Sequence, residues 1–245
     1  MFKKRGFVSA VIVAAGASER FGGDKMFARL GGEPVVLRTL RAFQECRVIS
    51  EIILVTRTED MERAASLAQD AGITKLTQVT RGGETRVESV LSGLFAVSKK
   101  ANVIAVHDGA RPLVTQDIIR DAIRGAERYN AAAPAVPVKG TIKQAKGGVV
   151  VSTPDREELF EAQTPQVFAA ELIRGAIELA VKKGQAPTDD CRAVENIGVT
   201  VHLTRGSYEN IKITTPEDMI IARAILKSRA ARRQNPEPRE EITAE

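Results

Sequence analysis

The sequence predicts an α/β protein: a mostly parallel sheet with helices on both faces. Three observations predict it. Short apolar runs rich in β-branched residues recur along the chain, as in strands buried on both faces. Amphipathic stretches of helical period separate them, so that strand and helix alternate regularly as far as Ala131. The first run, residues 7–15, opens at Gly16 into a loop of small residues, where an open α/β sheet holds its ligand.

After that first strand, residues 33–43 read as an amphipathic helix entered at Pro34, a favoured first-turn residue. EIILVT, residues 51–56, is a short buried strand. A helical pattern over 59–71 stops at Gly72, and a strand follows over 73–80. Residues 86–97 place Val87, Val90, Leu91 and Leu94 on one helix face. NVIAV, residues 102–106, is another buried strand, and Thr115 caps a helix over 115–129. The rhythm then changes. Pro134 and Pro137 interrupt the apolar strand 131–138 and place it near a sheet edge. Residues 141–144 and 149–152 flank a glycine-containing turn and read as a projecting hairpin arm, about 139–155. Such an arm exposes an edge that a second subunit could cover. Helices are expected over 169–183, over 189–195 with Thr188 as N-cap, and over 216–229 with Thr215 as N-cap; a strand is expected over 199–203. The organisation is thus one domain, 1–229, with a charged, proline-bearing and disordered tail, 230–245.

Composition narrows the function classes. The 245 residues carry a formal charge of +5, no Trp, two Cys and two His. The core must therefore be aliphatic, and two distant cysteines build neither a disulfide framework nor a zinc site. No basic stripe with interleaved aromatics suggests nucleic acid, and anionic small substrates explain the mild excess as well. No apolar run reaches the roughly 18 residues of a membrane span. Lys3-Lys4-Arg5 before an apolar run mimics a signal peptide, but the same run serves as the first strand. A cytoplasmic location is expected.

The chemistry is carried by the loops. In AVIVAAGASERFGGDK, residues 10–25, small side chains at Ala14, Ala15 and Gly16 let backbone N–H groups approach an anion, and Arg20 and Lys25 add fixed positive charge. The stretch fits neither the dinucleotide fingerprint, because Ser18 replaces its second glycine, nor the P-loop, because Phe21 stands at its second glycine. Further polar clusters fall at later loops: Gly82-Gly83 with Ser89; His107-Asp108-Gly109-Ala110-Arg111-Pro112; Thr141 and Lys143; Thr164-Pro165-Gln166; Thr188-Asp189-Asp190; and Asn210-Ile211-Lys212.

Taken in this order, from about residue 7 to about 227, these motifs resemble the 2-C-methyl-D-erythritol 4-phosphate cytidylyltransferase family. The resemblance implies a Rossmann-like fold of the nucleotide-diphospho-sugar transferase type. It also implies CMP transfer from CTP to a sugar-alcohol phosphate, with Mg²⁺, in a homodimer joined through the arm. Arg20, Lys25, Arg156 and Lys212 match the family's phosphate cations, the last two holding the incoming phosphate. Ala14, Ala15, Gly16, Gly82, Gly83, Ser89, Asp108 and Gly109 match nucleotide contacts. Asp108, Arg111, Thr141, Thr164 and Thr188 match acceptor contacts, and Asp108 is a candidate for hydrated Mg²⁺. His107 reads as a structural strand-end residue, because a phosphate nucleophile is already ionised and needs no base. Ser18 and Met26 depart from the family, which often has Gly and Gln there. The motif Gly22-Gly23-Asp24-Lys25 also resembles molybdenum-cofactor nucleotidyltransferases. A cytidylyltransferase for another acceptor, such as ribitol 5-phosphate, and a non-catalytic nucleotide-binding protein are the alternatives.

Overall fold

The computed structural model describes residues 6–16 and 19–234. The basic N-terminal triplet and Ser18 lie outside the described residues. In chain order the elements are β1 (Phe7–Val13), β2 (Arg29–Leu30), β3 (Glu33–Pro34), α1 (Val35–Gln44), β4 (Glu51–Thr56), α2 (Met61–Asp70), β5 (Leu76–Arg81), α3 (Arg86–Ala96), β6 (Ala101–Asp108), α4 (Gln116–Tyr129) and β7 (Ala131–Pro137). There follow β8 (Gln144–Lys146), β9 (Val149–Ser152), β10 (Phe160–Ala162), β11 (Gln166–Ala169), α5 (Ala170–Lys182), α6 (Asp190–Glu195), β12 (His202–Arg205) and α7 (Pro216–Gln234).

The main sheet has eight strands. β5, β4, β1 and β6 run parallel, in that spatial order. β11 joins β6 antiparallel. β10 and β11 line one side of β7, and β12 runs parallel along its other side. The alternation of side chains across β1 and its neighbours splits the core into two aliphatic layers. Ala10, Ile12, Ile52 and Leu54 pack towards α1, α2, α4 and α7. Val11, Ile53, Val55 and Ile104 pack towards α3, α5 and α6. Gly93 lets α3 lie against β1 and β4, because a Cβ there would overlap the side chains of Val11 and Val55.

β7 lies beside the sheet edge, as its prolines predict, with β12 as the edge strand along it. Other expectations change. Pro134 fits inside because its ring nitrogen faces the break between β10 and β11, where its carbonyl accepts the Gln163 N–H at 2.7 Å. β6 runs two residues past its apolar stretch, since Ile12 and Val13 of β1 pair with His107 and Asp108. Asp189, not Thr188, caps α6, accepting the Arg192 N–H. At α7 Thr215 stands at the N-cap position, and the carboxylate of Asp218 accepts the Thr214 and Thr215 N–H groups. α7 continues to Gln234, which moves the start of any disordered tail beyond residue 230; residues 235–245 lie outside the described residues. The hairpin forms as expected: Gly147 and Gly148, with φ of 57° and 80°, make the two-residue turn between β8 and β9.

Candidate active site

The chain leaves β1 for β4 on one side, and β6 lies on the other, so a crevice opens at the carboxyl ends of β1 and β6. Two backbone bonds fix its floor: Ala14 N–H donates to Val55 O at 2.7 Å and Gly109 N–H to Val13 O at 2.8 Å. The crevice is a cavity of about 500 Å³, walled by Ala14, Ala15, Gly16, Arg20, Lys25, Gly83, Arg86, Ser89, Asp108 and Lys212. A roomier hollow of about 610 Å³ lies between α2 and β5. It has no Lys or Arg in its wall and offers nothing to a polyanion.

Positive charge converges from three parts of the chain. Arg20 and Lys25 come from the loop after β1, Arg86 from the start of α3 and Lys212 from the loop before α7. Burial pushes the Lys25 ammonium below its usual range, and the nearby charges of Lys212 and Arg20 push it further. Asp108 partly offsets the crowd. Its Oδ2 lies 2.9 Å from Lys212 Nζ, and Arg86 and Arg111 each stand 3.6 Å from one of its oxygens. Burial alone would raise the Asp108 carboxyl, but Lys212 and Arg86 outweigh it and hold the group well below the ordinary carboxylate range.

Arg86 is not free to swing. Its guanidinium donates twice to Asp190, at 2.9 and 2.7 Å, and Asp190 is 1% exposed. The Thr85–Glu88 capping box fixes the helix turn that carries it. Gln166 in turn holds Asp190, accepting the Asp190 and Cys191 N–H groups at 2.9 Å each and donating to Asp189.

Opposite Arg86, the loop Gly82-Gly83 passes against the β1 loop. A Cβ on Gly82 would overlap that of Ala15, so only glycine allows this approach. Ser89 is buried; it accepts the Gly83 N–H at 3.1 Å and donates to Thr85 O at 3.0 Å. It shapes the loop, and the loop's backbone lines the cavity.

A relay of buried groups sets the Asp108 loop. Asp108 N–H donates to Thr164 Oγ1 at 3.1 Å, and Thr164 Oγ1 lies 3.0 Å from His107 Nδ1. His107 Nε2 lies 3.2 Å from Arg111 O. One assignment satisfies every group: the threonine hydroxyl donates to Nδ1, and a neutral imidazole donates from Nε2. Burial pushes the His107 imidazole down to about 4, and the neutral form is the one the relay needs. This gives a pH prediction. The folded value lies below the ordinary 6.5, so the unfolded chain takes up the proton first. Stability is then complete above pH 6.5 and falls as pH drops towards 4, by on the order of 3 kcal/mol. Urea titrations across this range, compared with a His107→Asn variant, check it: the variant should lose the slope.

Arg20, Lys25, Lys212, Asp108, Ala14, Ala15, Gly16, Gly83 and Ser89 thus line one cavity. Arg111 is buried behind Asp108, donating to Asn210 O at 2.7 Å. Thr164 is buried in the relay. Thr188 is exposed, outside the cavity wall. Thr141 and Arg156 are also exposed, on and beside the arm, and Arg156 Nη1 lies 3.5 Å from Lys139 O. Arg156 does not share the cavity of the other three cations. Asp190, Gln163 and Asn210 carry structure that the sequence reading did not assign. Asn210 Nδ2 donates to Gln163 Oε1 and Thr164 O, tying the Lys212 loop to the relay.

Asp108 is a poor candidate for a magnesium ligand in this arrangement, because cations already surround its carboxylate. Among the described residues no group of three or more His, Cys, Asp or Glu side chains could hold a metal.

Clustered positive charge that Asp108 only partly offsets suits a polyanion, and the glycine loop beside it lets backbone N–H and C=O groups approach a ligand. On this fold the pair fits a nucleotidyltransferase. The chain belongs to the 2-C-methyl-D-erythritol 4-phosphate cytidylyltransferase family, whose model matches residues 8–228. It is similar to the enzyme of that name from Caldanaerobacter subterraneus, at 45% identity over 224 residues, covering 90% of this chain and 99% of the relative. It is 43% identical to that from Geobacillus kaustophilus, covering 91% and 98%. Among solved structures it matches 4-diphosphocytidyl-2C-methyl-D-erythritol synthase from Anaerococcus prevotii, with a TM-score of 0.81 and 31% identity over 91% of this chain and all of that one. A second match is 2-C-methyl-D-erythritol 4-phosphate cytidylyltransferase from Thermus thermophilus, with a TM-score of 0.74 and 30% identity over 89% of this chain and 98% of the other. The protein is thus an enzyme, an α/β nucleotidyltransferase of isoprenoid precursor synthesis.

Proposed function

We propose that the protein transfers CMP from CTP to 2-C-methyl-D-erythritol 4-phosphate. An oxygen of the acceptor phosphate attacks the α-phosphorus of CTP, a new P–O bond forms, and the bond to pyrophosphate breaks. The observation that carries this reading is the meeting of Arg20, Lys25 and Lys212 in one cavity beside the Gly83–Ser89 wall. The reaction needs two repelling anions held together and the charge on the leaving pyrophosphate offset; it needs no base from the protein. Arg20 and Lys25 take the triphosphate. Backbone groups of the Gly82-Gly83 loop read the cytosine edge, and the narrow approach of that loop excludes a purine. Lys212, braced on Asp108, takes the acceptor phosphate.

Mg²⁺ would be held by triphosphate oxygens, where it shields their charge. The enzyme works in the cytoplasm as a homodimer joined through the arm, with no nucleic acid or membrane partner. Val149, Val150 and Val151 on the arm are 69%, 55% and 64% exposed, which favours a covering subunit. Thr141 and Arg156 keep an acceptor role if a dimer carries the arm to its partner's cavity. The two buried free cysteines suit a reducing compartment.

A panel of CTP, GTP, UTP and ATP against methylerythritol phosphate and ribitol 5-phosphate, read as pyrophosphate release, tests the proposal. Turnover should be greatest for CTP with methylerythritol phosphate. A preference for GTP or for ribitol 5-phosphate, or CTP binding without turnover, would overturn it.

A further inference from the structure

The loop that carries Arg20 and Lys25 is open between two packed points, partly buried Phe21 and buried Met26. Gly22 and Gly23 are exposed, and a Cβ at either would meet nothing within 4 Å. Just past them the loop is fastened from outside. Asp24 Oδ2 accepts from Arg63 Nη1 at 3.0 Å, and Asp24 Oδ1 lies 3.6 Å from Arg57 Nη2. Arg57 is itself fixed, because its Nε and Nη2 reach Asp60 Oδ2 at 2.7 and 2.6 Å and Asp60 is 6% exposed. The Arg63 guanidinium also lies 3.8 Å from the centre of the Phe27 ring. One arginine on α2 thus grips both the residue before the short turn Lys25–Phe27 and the last residue of that turn.

We propose that Asp24, held by Arg57 and Arg63, is a positioning residue that latches the glycine loop to the start of α2 and so keeps Lys25 aimed at the nucleotide phosphates. Buried Met26 anchors the far side of the turn, and the latch supplies the near side, next to the open glycines. The assignment rests on the reading of Lys25 as a triphosphate contact.

The sign of the effect separates a latch from a bare charge. Asp24 is an acid beside a cleft that binds anions, outside the cavity wall. If it acted only through its field, removing it would favour CTP. If it acts as a latch, removing it lets the loop roam and disfavours CTP. Exposed pairs of this kind are individually weak, so the expected change is about five- to tenfold. Steady-state kinetics on the full chain should show KM for CTP rising about five- to tenfold in Asp24→Ala, with KM for the acceptor phosphate within twofold and the melting temperature within about 2 °C. Arg63→Ala should behave alike, and the double variant should lose little more than either single one, since both remove one latch. Asp24→Glu, which keeps the charge and can reach the arginines, should recover most of the loss. An unchanged or lowered KM for CTP in Asp24→Ala would overturn the latch. So would equal losses for both substrates with a lower melting temperature, or fully additive single losses. Lys25→Ala run beside them separates the two ideas. If it leaves CTP use intact, the site reading fails; if it cripples CTP use while Asp24→Ala does not, only the latch fails.

Discussion

Replacing Lys25 by alanine is expected to lower kcat/KM for CTP by about a thousandfold, through both a lower kcat and a higher KM for CTP. Removing one preorganised group from a developing oxyanion typically costs this much, and negative charge grows on the leaving pyrophosphate as the α-phosphorus bond breaks. The fold itself should not suffer. Burial and the neighbouring charges of Lys212 and Arg20 already press on the Lys25 ammonium, so its removal relieves repulsion. A melting temperature equal to or above that of the parent, together with the kinetic loss, is the combined signature. A variant that turns over normally would place the triphosphate elsewhere, and a loss confined to KM would mean that Lys25 binds CTP without stabilising the charge that develops on the leaving group.

Lys212→Ala should damage the other substrate. Lys212 stands on the Asp108 side of the cleft, its Nζ 2.9 Å from the carboxylate, where an incoming phosphate would be held. The expected result is a fall of about a hundredfold in kcat/KM for the acceptor, with KM for CTP changed by no more than about threefold. Arg86 and Arg111 remain beside Asp108, so the carboxylate stays ionised and the stability cost is modest, about 1 kcal/mol after allowing for the exposure of Lys212. Lys212→Gln, which keeps a donor without charge, should restore stability more than activity. Equal losses for both substrates in Lys25→Ala and Lys212→Ala would reject the division of roles between them.

The parts of this molecule that were legible in the sequence are those whose signal is local. β4 is found at its own limits, Glu51–Thr56, because six consecutive residues are buried and apolar-rich and end in a turn. Thr115 and the Gly147-Gly148 turn announce themselves by chemistry that only a cap or a tight hairpin uses. The two short strands Phe160–Ala162 and Gln166–Ala169 went unseen as strands. They are three and four residues long, run against the parallel rhythm and owe their existence to pairing with β6 and β7. Within the site, the loop cations were readable because glycines and small residues surround them. What braces them was not. Arg86 and Asp190 are 104 residues apart, and Asn210 lies 46 from the Thr164 carbonyl it bonds. Such pairs leave no periodicity and no motif. Arg156 shows the converse: its match to a family cation rests on motif, and within one chain it stands away from the cleft, beside the arm.

The crowding of ammonium and guanidinium groups at the mouth of β1 has an effect outside catalysis. The mutual repulsion of Lys25, Lys212 and Arg20 works against the fold, and the burial of the two aliphatic layers beneath them outweighs it. A triphosphate that enters is therefore counter-ion as well as reactant, and it settles the molecule by the free energy of its own binding. The stability of this enzyme is thereby tied to the supply of the nucleotide it consumes.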